Sequence, residues 1–123
     1  MAKRVLVVED DQAMLQILSD KLSAEGYEVF KAEDGQQGLD LALEQRPDLI
    51  LLDLLLPKLS GLEMLEALRK VEKDKPTPVL ILTNLSENKA IYKSVALNTS
   101  AYFIKSNSSL ESIADEVKSK LAA

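Results

Sequence analysis

Residues 49–53 read Leu-Ile-Leu-Leu-Asp. Four apolar residues in succession, with no polar alternation, are too few for a helix and suit a strand buried on both faces, as in a parallel sheet covered by helices. Three more runs have the same look: Val5–Val8, Val79–Leu82 and Ala101–Ile104. A weaker fifth strand is expected over Tyr27–Lys31 after the turn signal at Gly26, and its Glu28 and Lys31 point to a sheet edge.

Helical patterns fill the intervals. Met14, Leu15, Leu18 and Leu22 recur at helical spacing after the first run, and Leu39, Ala42 and Leu43 do so after Asp34, a candidate N-cap. Leu62, Leu65 and Leu68 follow the third run, with a charged opposite face through Arg69 and Lys73. Ser86 can cap a helix that buries Ala90, Ile91 and Val95. Ser108-x-x-Glu111 reads as a capping box opening a last helix with Leu110, Ile113, Val117 and Leu121 on its apolar face. Five alternations of strand and helix predict one α/β domain over residues 1–123, a doubly wound parallel sheet of five strands with five helices on its two faces.

Composition narrows the chemistry. The chain has 123 residues, 46% of them hydrophobic, and a net charge of −5. That sign argues against direct nucleic-acid binding or an anionic membrane as partner. No signal peptide or membrane-length apolar run is visible, so a cytoplasmic location is expected. There is no Cys and no His, which excludes thiolate and imidazole nucleophiles, bases and metal ligands. Any metal must be held by oxygen, which means a hard cation such as Mg²⁺, Mn²⁺ or Ca²⁺. Four glycines cannot spell either common phosphate-loop pattern.

The strand ends carry the candidate site. The first run ends in Glu9-Asp10-Asp11, the third in Asp53, the fourth in Thr83 and the fifth in Lys105. In a parallel sheet these ends share one edge, where open α/β folds bind ligands. Clustered carboxylates repel and call for positive charge; Lys105 supplies one and a divalent cation a second. An aspartate in such surroundings can attack phosphorus and become an acyl phosphate, with Lys105 and Thr83 meeting the phosphoryl oxygens. Singly, each residue has a plainer reading: Asp10 or Asp11 as a helix cap, Thr83 as a strand-end hydroxyl, Lys105 as a solvated charge.

The segments VLVVEDD, LILLDLLLPKLSGLE, VLILTN and AYFIK together resemble the receiver domain of two-component response regulators. The resemblance covers the whole chain and implies the flavodoxin-like strand order 2-1-3-4-5, of which receiver domains are a standing example. It implies that Asp53 is the phosphoacceptor, in a D-x-x-x-P pattern with Pro57, and that Gly61 accompanies it. It further implies Mg²⁺ held by Asp10, Asp53 and the backbone carbonyl of Leu55, with Glu9 acting through water. Thr83 corresponds to the switch hydroxyl, Lys105 to the phosphate-binding lysine and Tyr102 to the rotating aromatic of the fifth strand. The implied partners are a sensor histidine kinase or phosphotransfer protein, an output partner on the fourth helix, fifth strand and fifth helix, and a phosphorylation-dependent second copy. Such a domain is not an enzyme beyond gaining and losing its own phosphoryl group.

Some positions depart from the family pattern. Ser106 stands where proline usually follows the lysine, Asn84 where a small residue follows the threonine, and Asn98-Thr99 where Gly-Ala precedes the fifth strand. Leu55 and Leu85 occupy the positions flanking the route of hydrolytic water, and their apolar side chains imply a long-lived acyl phosphate. Two rival readings remain at this level. A phosphatase of the haloacid-dehalogenase type needs a second aspartate two residues after the nucleophile, and Leu55 stands there. An interaction domain that works without phosphorylation is the other.

Overall fold

A computed structural model describes residues 2–54, 56–72, 75–83, 101–104 and 109–122; for Thr83 and residues 101–104 it describes the backbone only. Strands β1 (Arg4–Val8), β2 (Glu28–Ala32), β3 (Leu49–Leu52), β4 (Val79–Thr83) and β5 (Ala101–Ile104) form one sheet in the order β2-β1-β3-β4-β5. Each neighbouring pair is parallel, with Val8 opposite both Ala32 and Leu52, and Leu52 opposite Ile81. This is the flavodoxin-like arrangement expected from the sequence. β2 lies at an edge, as its charged residues suggested, but starts and ends one residue later than expected.

Alternation along the strands builds two cores. Leu6, Val8, Ile50, Leu52 and Ile81 face α2 (Gly35–Gln45) and α3 (Gly61–Val71), whose Ala42, Met64, Leu65 and Leu68 are buried against them. Val5, Val7, Leu49, Leu51, Leu80 and Leu82 face α1 (Gln12–Ala24) and α4 (Leu110–Ala122) through Leu15, Leu18, Leu22, Ile113 and Val117. Four helices are therefore described; α4 is the fifth of those expected from the sequence, and the one expected after Ser86 lies outside the described residues. No helix among the described residues is long and apolar enough to cross a membrane.

Local chemistry sets the helix starts. Asp11 accepts from the N–H groups of Ala13 and Met14 at 3.0 and 3.2 Å, and Asp34 from Gln37 at 2.7 Å. The Gln37 bond is the main reason the Asp34 carboxyl lies below its ordinary range; Lys58 adds to it, against a smaller desolvation effect. Ser60 and Glu63 form a reciprocal capping box on α3. On α4 the cap is Ser109 rather than Ser108: its hydroxyl accepts from the N–H of Ser112 at 3.1 Å. Glu111, freed from capping, reaches Lys21 on α1 and, chiefly through that hydrogen bond, raises the Lys21 pKa. Leu43, expected on the apolar face of α2, faces outward. It is 39% exposed, because Gly35, Gly38 and Ala42 form the buried stripe of α2. A methyl group at Gly38 would come 2.9 Å from Val8 and 3.0 Å from the Met64 sulfur, so the helix needs glycine to sit this close to the sheet.

Candidate functional site

The acidic cluster is assembled by the two central strands. Glu9 follows β1 and donates its N–H to the Ala32 carbonyl at 3.0 Å; Asp53 follows β3 and donates to the Val8 carbonyl at 3.0 Å. Because Val8 and Leu52 are in register, the residues just beyond them emerge side by side at the C-terminal edge of the sheet. Carboxylate oxygens of Glu9, Asp10 and Asp53 all lie within 4.8 Å of one another. Glu9 and Asp53 are 1% and 5% exposed, whereas Asp10 faces solvent. The third acid of the run, Asp11, is committed to capping α1, so the local fold separates a structural carboxylate from the cluster.

Backbone packing fixes the segment after Asp53. Gly61 opens α3 and donates to the Leu54 carbonyl at 3.0 Å. A β-carbon there would lie 2.1 Å from the Asp53 carbonyl oxygen and 2.7 Å from the Leu54 α-carbon, so only glycine fits. At Gly35 a β-carbon would lie 1.7 Å from the Leu59 carbonyl oxygen, which seats the same loop on the start of α2. Lys58, in the left-handed region at φ 66°, points its ammonium at Asp34, 3.5 Å away. These clamps hold Asp53 from behind; of their residues the family resemblance marks Gly61, while Gly35, Lys58 and Leu59 carry no signal in the sequence.

The remaining predicted residues are placed to different extents. Thr83 ends β4, next to β3 and on the same edge as the cluster, and its register partner Ile104 is the residue before Lys105. Tyr102 lies on β5 opposite Ile81. Leu55, Lys105, Asn84, Leu85 and Ser106 fall outside the described residues.

The donor set fits a hard divalent cation. Three carboxylates, two of them buried, converge with no thiolate or imidazole donor anywhere in the chain. Oxygen-only sites of this kind suit Mg²⁺ or Mn²⁺ rather than zinc or copper.

This arrangement of parallel sheet, acidic edge and clamped loop defines a receiver fold, and comparison with known proteins agrees. The chain belongs to the response regulator receiver domain family, whose model matches residues 5–118. It is 41% identical over 83 residues to the polar-differentiation response regulator DivK of Brucella anthropi, covering 68% of both chains. It is 43% identical over 84 residues to the DNA-binding dual master transcriptional regulator RpaA of Synechocystis, a match covering 68% of this chain but only 35% of RpaA. Among solved structures, a CheY-like receiver domain protein from Methanospirillum hungatei superposes with a TM-score of 0.91 at 29% identity, over 99% of this chain and 95% of that one. Receiver domains are phosphoacceptor signalling domains, not enzymes; they bind Mg²⁺ at an acidic pocket and interact with histidine kinases or phosphotransfer proteins.

Proposed function

We propose that residues 1–123 form one receiver domain that takes a phosphoryl group onto Asp53 from the phosphohistidine of a sensor kinase or phosphotransfer protein in the cytoplasm. An Asp53 carboxylate oxygen forms a bond to phosphorus as the phosphorus–nitrogen bond of the donor breaks. The electron pair returns to the imidazole, which takes up a proton from solvent. The approach of the Glu9, Asp10 and Asp53 carboxylates to within 4.8 Å of one another carries this reading, because it puts a buried nucleophile inside a divalent-cation donor set.

Asp10 and Asp53 would hold Mg²⁺ (or Mn²⁺), with the Leu55 carbonyl as a further ligand and Glu9 acting through water. The ion supplies charge neutralisation for the phosphoryl oxygens. Buried just after β3, Asp53 is oriented by its own N–H bond to Val8 and by the Gly61 contact behind it. Lys105 neutralises a phosphoryl oxygen and Thr83 donates its hydroxyl to another. Drawing Thr83 inward leaves room for Tyr102, which changes the face formed by the helix expected after Ser86, β5 and α4, where an output partner or a second copy docks.

Intact mass after incubation with acetyl phosphate and Mg²⁺ tests this. One phosphoryl adduct is expected on the wild-type chain and none on Asp53→Asn. Equal adduct on both would overturn the assignment, and steady release of phosphate would favour a phosphatase.

A further inference from the structure

At the opposite edge of the sheet, the C-terminal ends of α2 and α3 bound a groove of about 390 Å³. Its apolar part is Leu43, Leu68 and Val71; Leu43 and Val71 are 39% and 61% exposed, two of the three large hydrophobic residues exposed among the described residues. Arg46 and Lys75 line it with positive charge, and neither makes an ion pair among the described residues. The lining carboxylate, Glu72, is already engaged by the Arg69 guanidinium at 2.8 Å and by the Thr77 N–H at 3.1 Å.

Helix C-termini oppose an anion with about half a charge each. Here the Gln45 carbonyl at the end of α2 is taken by the Arg4 guanidinium, and two full cations outweigh the remainder. Between Glu72 and Lys75 the sequence carries one Lys and one Asp, which cancel. The groove is thus a positive, apolar-floored spot on a chain of net charge −5. An acidic partner is repelled by the molecule as a whole and attracted here, which gives this surface selectivity as well as affinity.

We propose that the groove docks a short acidic segment of a partner protein. One large apolar side chain of that segment enters between Leu43 and Val71, and its flanking carboxylates pair with Arg46 and Lys75. Arg46 is suited to this, since the α2 cap holds it at φ 48° and its planar fork can donate bidentately to a carboxylate. The site lies at the far edge of the sheet from Asp53 and uses none of the residues proposed for phosphoryl transfer.

The test is an amide-shift titration with the peptide Ac-Asp-Glu-Phe-Asp-Glu-NH2 and its Asn/Gln analogue. Saturable shifts are expected at Leu43, Arg46, Val71 and Thr77. Affinity should fall about tenfold in Arg46→Gln/Lys75→Gln and in the amide analogue, the effect of losing two rim ion pairs. Val71→Ser should weaken binding of both peptides, and Asp53→Asn should bind as the wild type does. The proposal is overturned by absent shifts, by shifts centred elsewhere, by equal binding of the amide analogue, or by shifts that follow dilution of the protein itself and so report a second copy in the groove.

Discussion

Gly61→Ala should damage the site through the backbone without touching a functional side chain. The added methyl carbon would lie 2.1 Å from the Asp53 carbonyl oxygen and 2.7 Å from the Leu54 α-carbon, both backbone atoms that no rotamer change can move. Reaching even 3.0 Å requires the loop and α3 to part by about 0.9 Å. Overpacking of this kind costs about 1–3 kcal/mol, while alanine in place of glycine returns at most about 1 kcal/mol of helix propensity. A net loss of about 1–2 kcal/mol is therefore expected from urea unfolding. The same displacement moves Asp53 relative to Asp10 and Glu9, and a misplacement near 1 Å can slow a positioned reaction by about a hundredfold. Gly26→Ala is the control. It sits at φ 96° where an added methyl group would meet no non-neighbouring atom within 4 Å, so it costs about 1–2 kcal/mol of backbone strain far from the site. Phosphorylation by acetyl phosphate should be slowed in Gly61→Ala and unchanged in Gly26→Ala. Equal rates in Gly61→Ala and wild type would refute the clamp, and equal slowing in both variants would show that the rate follows global stability.

Asp11→Ala should lose about 1 kcal/mol with the loss of its cap on α1, yet still form the phosphoryl adduct, because Asp11 stands outside the cluster; denaturation and intact mass read the two effects separately. Asp34 is held below its ordinary value of 3.8 in the folded protein, so its charge stabilises the fold above that pH, and the contribution fades as pH falls through the lowered value. The stability gap between wild type and Asp34→Asn, measured by urea unfolding, should therefore be widest near neutrality and close below about pH 3.8; a gap independent of pH would contradict this. Leu65→Ala, at a side chain with no exposure between α3 and the sheet, should cost about 2–5 kcal/mol in the same measurement. Leu55→Asn with Leu85→Glu should shorten the life of the acyl phosphate, followed by decay of the adduct, if apolar side chains keep water from it.

Most of the architecture was legible because burial on both faces of a parallel sheet leaves an unmistakable run of apolar residues, as at Leu49–Leu52, whose bounds match the strand. The same logic put Glu9, Asp10 and Asp53 together, since strand direction alone decides which ends share an edge. Periodicity failed where glycine forms the contact. Leu43 reads as inward on hydrophobicity, yet α2 turns Gly35 and Gly38 to the core so that its backbone can approach Val8 and Leu59. Competing serines hid the start of α4, where Ser108 and Ser109 both satisfy a cap pattern and only the Ser112 hydrogen bond distinguishes them. Of the clamps behind Asp53, Gly61 was marked by the family pattern, but the approach of Gly35 to the Leu59 backbone joins residues distant in sequence, which no local pattern records.

The central claim is that Asp53, and no other carboxylate of the cluster, becomes the acyl phosphate. Borohydride reduction of the acetyl phosphate-treated protein converts an aspartyl phosphate to homoserine, and tandem mass spectrometry of the peptides locates it. Homoserine at residue 53, dependent on added Mg²⁺, is the predicted result. Reduction at Asp10, or adduct formation that leaves residue 53 an aspartate, would contradict it.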